Sequence, residues 1–140
     1  MKKFILLFVF GIIYATSICA QQKFFCEIKG AEKELSSGLK IVFDFGKDPV
    51  YGSLSTLKSK QKLVDEKGEV ISFNSMVDAG NYLSGKGWTF VQAYSSDYGG
   101  QAINHWIFSK ESESLEKACE GIVTKGMYEQ SHKRVGYYGN

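Results

Sequence analysis

The stretch Leu83-Ser84-Gly85-Lys86-Gly87-Trp88-Thr89-Phe90-Val91-Gln92-Ala93-Tyr94 decides the fold, because a helix must end and a strand begin within it. Upstream, Met76, Ala79, Gly80 and Leu83 recur at the spacing of one helix face. Ser75, with Asp78 three residues on, has the pattern of a capping box, in which the serine oxygen takes an orphan N–H of the first turn. Gly80 costs such a helix about 1 kcal/mol against alanine, and its missing side chain lets a strand come close. Gly85 and Gly87 stop the helix. From Trp88 to Tyr94 apolar residues fall on both faces, Trp88, Phe90 and Tyr94 against Val91 and Ala93, which predicts a central strand. Residues 95–102, with Asp97 and Gly99-Gly100, read as a loop, and residues 103–110 as the returning partner of a hairpin.

On the N-terminal side, Phe24, Cys26 and Ile28 alternate with Phe25, Glu27 and Lys29. Leu39, Ile41, Phe43 and Phe45 alternate in the same way with Lys40 and Asp44. Period-two alternation marks two half-buried strands, and the turn residues Ser36-Ser37-Gly38 make them a hairpin. Gly30 is read as a bulge. Residues 46–58, with Pro49 and Gly52, read as a loop. Residues 61–64 and 69–73 read as short strands about the turn Asp65-Glu66-Lys67-Gly68. Leu115, Ala118, Cys119 and Ile122 give residues 114–123 an apolar helix face, with Ser112 as its cap. From Lys125 the chain is polar and aperiodic, so 125–140 is read as a flexible tail after a single domain over 21–124. The expected class is α+β: an antiparallel sheet of about four to six strands with two helices packed on one face, in the order β-β-β-β-α-β-β-α.

Residues 1–20 stand apart. Lys2 and Lys3 precede an apolar run from Phe4 to Ile13, and Ala15-Thr16-Ser17 and Ile18-Cys19-Ala20 follow. That is the three-part layout of a secretory signal peptide, and the run is shorter than the roughly 20 residues a spanning helix needs. Cleavage is expected between Ala20 and Gln21, leaving no membrane span. Lipidation at Cys19 is disfavoured, because bulky Ile18 stands where lipoprotein signals carry a small residue. The expected location is secreted or periplasmic. Losing Lys2 and Lys3 brings the 17 basic residues down to the number of acids, 15. A neutral mature chain without a basic-aromatic stripe argues against a nucleic-acid partner.

Cys26 and Cys119 remain after cleavage, both on expected core faces. An oxidising compartment permits a disulfide between them, and two buried free thiols fit the same placement. Catalytic inventory is thin. His132 falls in the expected tail, and His105 lies mid-strand beside Trp106. The chain has no Gly-x-Ser-x-Gly elbow, His-Glu-x-x-His, Cys-x-x-Cys or phosphate-binding glycine loop. Its cysteines and histidines lack metal-ligand spacing, so no metal or cofactor is expected. Glu27 and Asp44 are placed facing each other outside the first hairpin, with Lys29 and Lys40 as partners. Tyr94, Tyr98, Gln101, Asn104 and Trp106 gather about the second hairpin as a candidate ligand patch, since aromatics beside amides suit a sugar or peptide.

Leu83 to Val91, followed after a polar loop by Trp106-Ile107-Phe108-Ser109-Lys110, resembles a short, widespread bacterial family of unknown function. That family reads amphipathic helix, Leu-x-x-x-Gly-Trp, strand, loop, then an aromatic strand ending in a basic residue, and the likeness covers residues 79–110. The whole chain also resembles small secreted proteins of Bacteroidetes-type bacteria, with Gln21-Gln22 after the leader. Neither resemblance implies an activity or a site. The functional expectation is a non-catalytic binding or interaction module for a protein, peptide or glycan. The alternatives are a small hydrolase using His105 with a nearby acid or Cys, and a structural or assembly subunit using an open sheet edge.

Overall fold

The structure, a computed structural model, describes residues 21–32, 39–47 and 59–136. Residues 1–20, expected as a leader, residues 33–38, expected to hold the Ser36-Ser37-Gly38 turn, residues 48–58 of the expected Pro49 loop, and residues 137–140 lie outside them. The class is α+β. Strands β1 (Gln22–Glu32), β2 (Leu39–Asp44), β4 (Thr89–Tyr98) and β5 (Gln101–Ser112) form an antiparallel sheet in the order β2-β1-β5-β4. A second, two-stranded sheet pairs β3 (Leu63–Val64) with β6 (Val123–Thr124). Three helices accompany them: α1 (Met76–Gly85), the single turn α2 (Leu115–Ala118) and α3 (Lys125–Gly136). Among the described residues no helix is long and apolar enough to cross a membrane.

One core lies between the large sheet and the helices. Cys26, Ile28, Ile41, Phe43 and Phe108 enter it from the sheet, Met76, Ala79 and Leu83 from α1, and Ala118, Cys119 and Ile122 from the α2 region. α1 forms where the periodicity places it. Ser75 Oγ accepts the Asp78 N–H at 3.1 Å, and the Asp78 carboxylate reaches back to the Asn74 N–H at 2.9 Å. A side chain at Gly80 would stand 3.2 Å from the Trp106 ring and 3.3 Å from Phe108, so this glycine sets how closely α1 lies on β5. Trp88 is 2% exposed, against Phe45 with ring centroids 5.6 Å apart. Its indole N–H is buried without a hydrogen-bond partner.

Four expectations need correction. The strand after Trp88 is an edge strand, not a central one, because β1 rather than β4 fills the second side of β5. Its apolar residues on both faces arise from a bulge at Val91, where pairing slips between Phe90 and Gln92. The 95–102 loop is mostly strand: β4 runs to Tyr98, β5 starts at Gln101, and Gly99 and Gly100 turn between them at φ 64° and 85°. Two positive φ values suit the tight turn whose twist matches a hairpin. Gly30 is no bulge, since it pairs in register with both Ile41 and Asn104, and the Met76 side chain fills the space above it.

The fourth correction is the C-terminal region. The helix expected over 114–123 is one turn capped by Ser114, which accepts the Lys117 N–H at 3.2 Å, followed by β6. β3 pairs with β6, and the expected 69–73 strand contributes a single bridge, Val64 to Val70. The segment expected as tail begins with α3. Polar and aperiodic residues hid this helix, because beyond a local cap its support is tertiary. Thr124 Oγ1 accepts the Met127 N–H at 3.3 Å, the Lys125 N–H reaches the Lys62 carbonyl at 2.8 Å, and the Tyr128 hydroxyl donates to the Lys67 carbonyl at 3.1 Å.

Candidate functional site

The two-residue turn at Gly99-Gly100 sets the register of the second hairpin: Tyr98 opposite Gln101, Ser96 opposite Ile103, Tyr94 opposite His105. On the other side of β5, His105 stands opposite Lys29 and Ile107 opposite Glu27, and Glu27 in turn pairs with Asp44 of β2. Alternate residues of a strand share a face. Glu27, Lys29, Asp44, Tyr94, Ser96 and His105 therefore all project from the face opposite the helices.

There they form a connected network. Glu27 Oε1 lies 2.7 Å from His105 Nδ1 and accepts the Tyr94 hydroxyl at 3.1 Å. Glu27 Oε2 pairs with Lys29 Nζ at 2.9 Å, and the same ammonium is 3.5 Å from Asp44 Oδ2. The other ring nitrogen of His105, Nε2, is 2.8 Å from Ser96 Oγ. The Tyr94 ring stacks on His105, with centroids 4.5 Å apart and planes 3° from parallel. A carboxylate only accepts, so the neutral imidazole carries its proton on Nδ1 and leaves Nε2 to accept from the Ser96 hydroxyl.

Charge on this face is held firmly. Burial pushes the Glu27 carboxyl up, but hydrogen bonds from Lys29, His105 and Tyr94, with the Lys29 charge, outweigh it and hold the group below 4.5. Burial pulls Lys29 down, and its pairing with Glu27 and Asp44 outweighs that, holding it above 10.5. A lowered carboxyl stabilises the fold above its unfolded value and ceases to as pH falls through the folded one. A raised lysine stabilises below its unfolded value and ceases to as pH rises through the folded one. The pair thus supports the fold fully between the ordinary carboxylate titration range and the ordinary lysine range. Glu27→Gln is expected to lower the urea midpoint evenly across that interval, with the gap to the wild type closing below it. Urea titrations from pH 3 to pH 9 (on the order of one per unit) check this.

The five residues of the expected ligand patch do not form one surface. Tyr94, Tyr98 and Gln101 share the face of the network by strand parity. Asn104 and Trp106 have the opposite parity. Trp106 meets Phe90 edge-on at 5.5 Å on the helix side, and Asn104 Oδ1 accepts the Ser95 hydroxyl at 2.8 Å. Cys26 and Cys119 are free thiols buried in the same core. Burial pushes both up, and the nearness of Cys119 raises Cys26 further. His132 lies on the exposed side of α3, stacked on Tyr128 at 4.0 Å, far in sequence from the sheet network. Among the described residues no group of three His, Cys, Asp or Glu side chains could hold a metal ion.

Ser96 and the link from Glu27 to His105 escape the sequence reading. Their signal was Gly99-Gly100: taken as a two-residue turn, it brings Ser96 diagonally beside His105. Comparison with known proteins finds no matching family model, no matching curated protein and no matching solved structure.

Proposed function

We propose that this chain is an exported binding module, periplasmic or secreted, that takes an extended polypeptide segment of a partner protein as a fifth strand along β4. The observation that carries the reading is the β4 edge. β4 is ten residues long, exposed throughout, and among the described residues pairs on one side only. Edge strands are ordinarily guarded by lysine, proline, shortness or a bulge, and of these β4 has only the bulge. Thr89–Tyr98 has no Lys, Arg or Pro, and Asp97 near the turn is its one charge. Phe90 and Val91 are 48% and 49% exposed beside the unpaired backbone. Backbone hydrogen bonds give such strand addition its affinity, and alternate side chains its selectivity.

The bulge at Val91 favours a foreign segment over a second copy of this chain. A symmetric pairing of two β4 strands would meet that irregularity twice, a single extended segment once. The leader-like residues 1–20 support export, and the balanced charge of the remainder leaves recognition to the backbone and to apolar contacts.

The test pans random decapeptides displayed on phage against the purified protein. Enriched sequences are expected to alternate apolar and polar residues, and a synthetic copy to slow amide exchange along Thr89–Tyr98. Val91→Lys, which installs the missing guard, is expected to weaken binding about tenfold or more, at an unchanged melting temperature, because the position is exposed. Absence of enrichment, or protection elsewhere on the molecule, overturns the reading. So does β4 protection that rises with protein concentration alone, which would identify a second copy as the occupant.

A further inference from the structure

We infer that Ser96 is an activated nucleophile that accepts the acyl group of a carboxylic ester, with His105 as its general base and Glu27 positioning that base. Three side chains from three strands lie in line: Ser96 Oγ is 2.8 Å from His105 Nε2, and His105 Nδ1 is 2.7 Å from Glu27 Oε1. Each distance is within the range for a working nucleophile–base–orienter relay. Both ring nitrogens are engaged in the sense the chemistry needs, with the carboxylate selecting the tautomer whose Nε2 is basic.

The surroundings fix the base while leaving the nucleophile open. His105 is clamped between the stacked Tyr94 ring and Glu27, which Lys29 and Tyr94 hold in turn. His105's side chain is 12% exposed, whereas Ser96 is exposed. Ser96 lies between Tyr94 and Tyr98 on one face, each two residues away and so about 7 Å along the strand. Two half-exposed aromatic rings at that distance suit an aryl or short acyl group. Strand addition along β4 uses backbone groups at the edge, whereas this site uses side chains on the face. Either can fail without the other.

The step balances within the chain and its substrate. Ser96 Oγ attacks the ester carbonyl carbon while its proton passes to His105 Nε2. The Oγ–C bond forms, the C–O bond to the leaving group breaks, and His105 returns the proton to the departing alkoxide. Water then attacks the acyl-serine with His105 again taking the proton, and the carboxylic acid leaves as Ser96 is reprotonated. The developing oxyanion forms at an exposed serine, in contact with water. Stabilisation there is weaker than in a closed site, so turnover is expected to be slow and to favour activated esters over amides.

The test treats the full protein with a biotinylated alkyl fluorophosphonate, which transfers its phosphonyl group to an activated serine oxygen with loss of fluoride. One adduct per chain is expected, located on Ser96 by tandem mass spectrometry. Ser96→Ala, at an exposed position, is expected to abolish it without changing the circular dichroism spectrum. His105→Gln is expected to slow labelling about 10²-fold or more, with added imidazole restoring part of the rate. Glu27→Gln is expected to slow it about tenfold or more, and Glu27→Asp, which keeps the carboxylate, to recover part of that loss. Hydrolysis of p-nitrophenyl acetate is expected to follow the same order. An adduct on another residue, equal labelling in Ser96→Ala or His105→Gln, or no adduct overturns the assignment.

Discussion

Phe108→Ala is expected to destabilise the protein by about 3–5 kcal/mol, the range for emptying a packed phenylalanine site. Phe108 is 1% exposed at the middle of β5, opposite Cys26 of β1 and Phe90 of β4. Its ring lies edge-on to Phe90 at 5.6 Å and reaches the α1 backbone at Gly80. Sheet, edge strand and helix meet on this one side chain, so the cavity has little freedom to collapse. Against a typical total of about 5–15 kcal/mol, the loss is a large share of the stability. Phe25 supplies the control: it sits three residues from Ile28 on β1, yet faces outward and is 55% exposed. Phe25→Ala is expected to change stability by less than about 0.5 kcal/mol. Urea unfolding followed by circular dichroism compares the two, and equal midpoints would show the core to be elsewhere.

Lys110→Met is expected to cost roughly 3 kcal/mol, although it replaces a charged residue with an apolar one of similar length. Lys110 lies on the inner side of β5. Its ammonium donates to the Lys86 carbonyl at 2.8 Å and to the Ala118 carbonyl at 3.1 Å. Lys86 caps the C-terminus of α1, and Ala118 is the last residue of α2. The final carbonyls of a helix have no partner within it and carry its negative dipole end. One cation therefore closes two helices. Methionine keeps the packing of the stem and leaves both oxygens unpaired, so the measured loss isolates the hydrogen bonds. Guanidinium denaturation of Lys110→Met and the wild type decides; a difference under about 1 kcal/mol would mean that water replaces the ammonium.

Lys110 closes the stretch from residue 79 to residue 110, two residues before β5 ends. What was legible in that stretch was local. Ser75, the 3.6 spacing of Met76, Ala79 and Leu83, and the glycines after Leu83 define α1, and all of these act within a few residues. The Glu27–Asp44 pairing with Lys29 beside it was legible too, since the alternation of β1 and β2 sets which residues face outward. Strand order was not. Whether β4 is central or marginal depends on β1 docking against β5, and no periodicity in Thr89–Tyr98 encodes that choice. α3 was hidden for a similar reason: Tyr128 bonding to Lys67 is an event between distant residues. The site needed one more piece, the register imposed by Gly99-Gly100, without which Ser96 remained a loop residue.

The central pairing of the sheet joins Gln22 to Ser112, 90 residues further along the chain. Pairings so distant are slow to form, because the loop must be closed before any contact rewards it. Until β5 has emerged from the ribosome, β1 has only β2 beside it, and an isolated hairpin is marginal in water. The fold therefore matures late, after most of the polypeptide has been made. The export proposed above would need a chain that stays unfolded until it has crossed, and this strand order would supply that delay from topology alone.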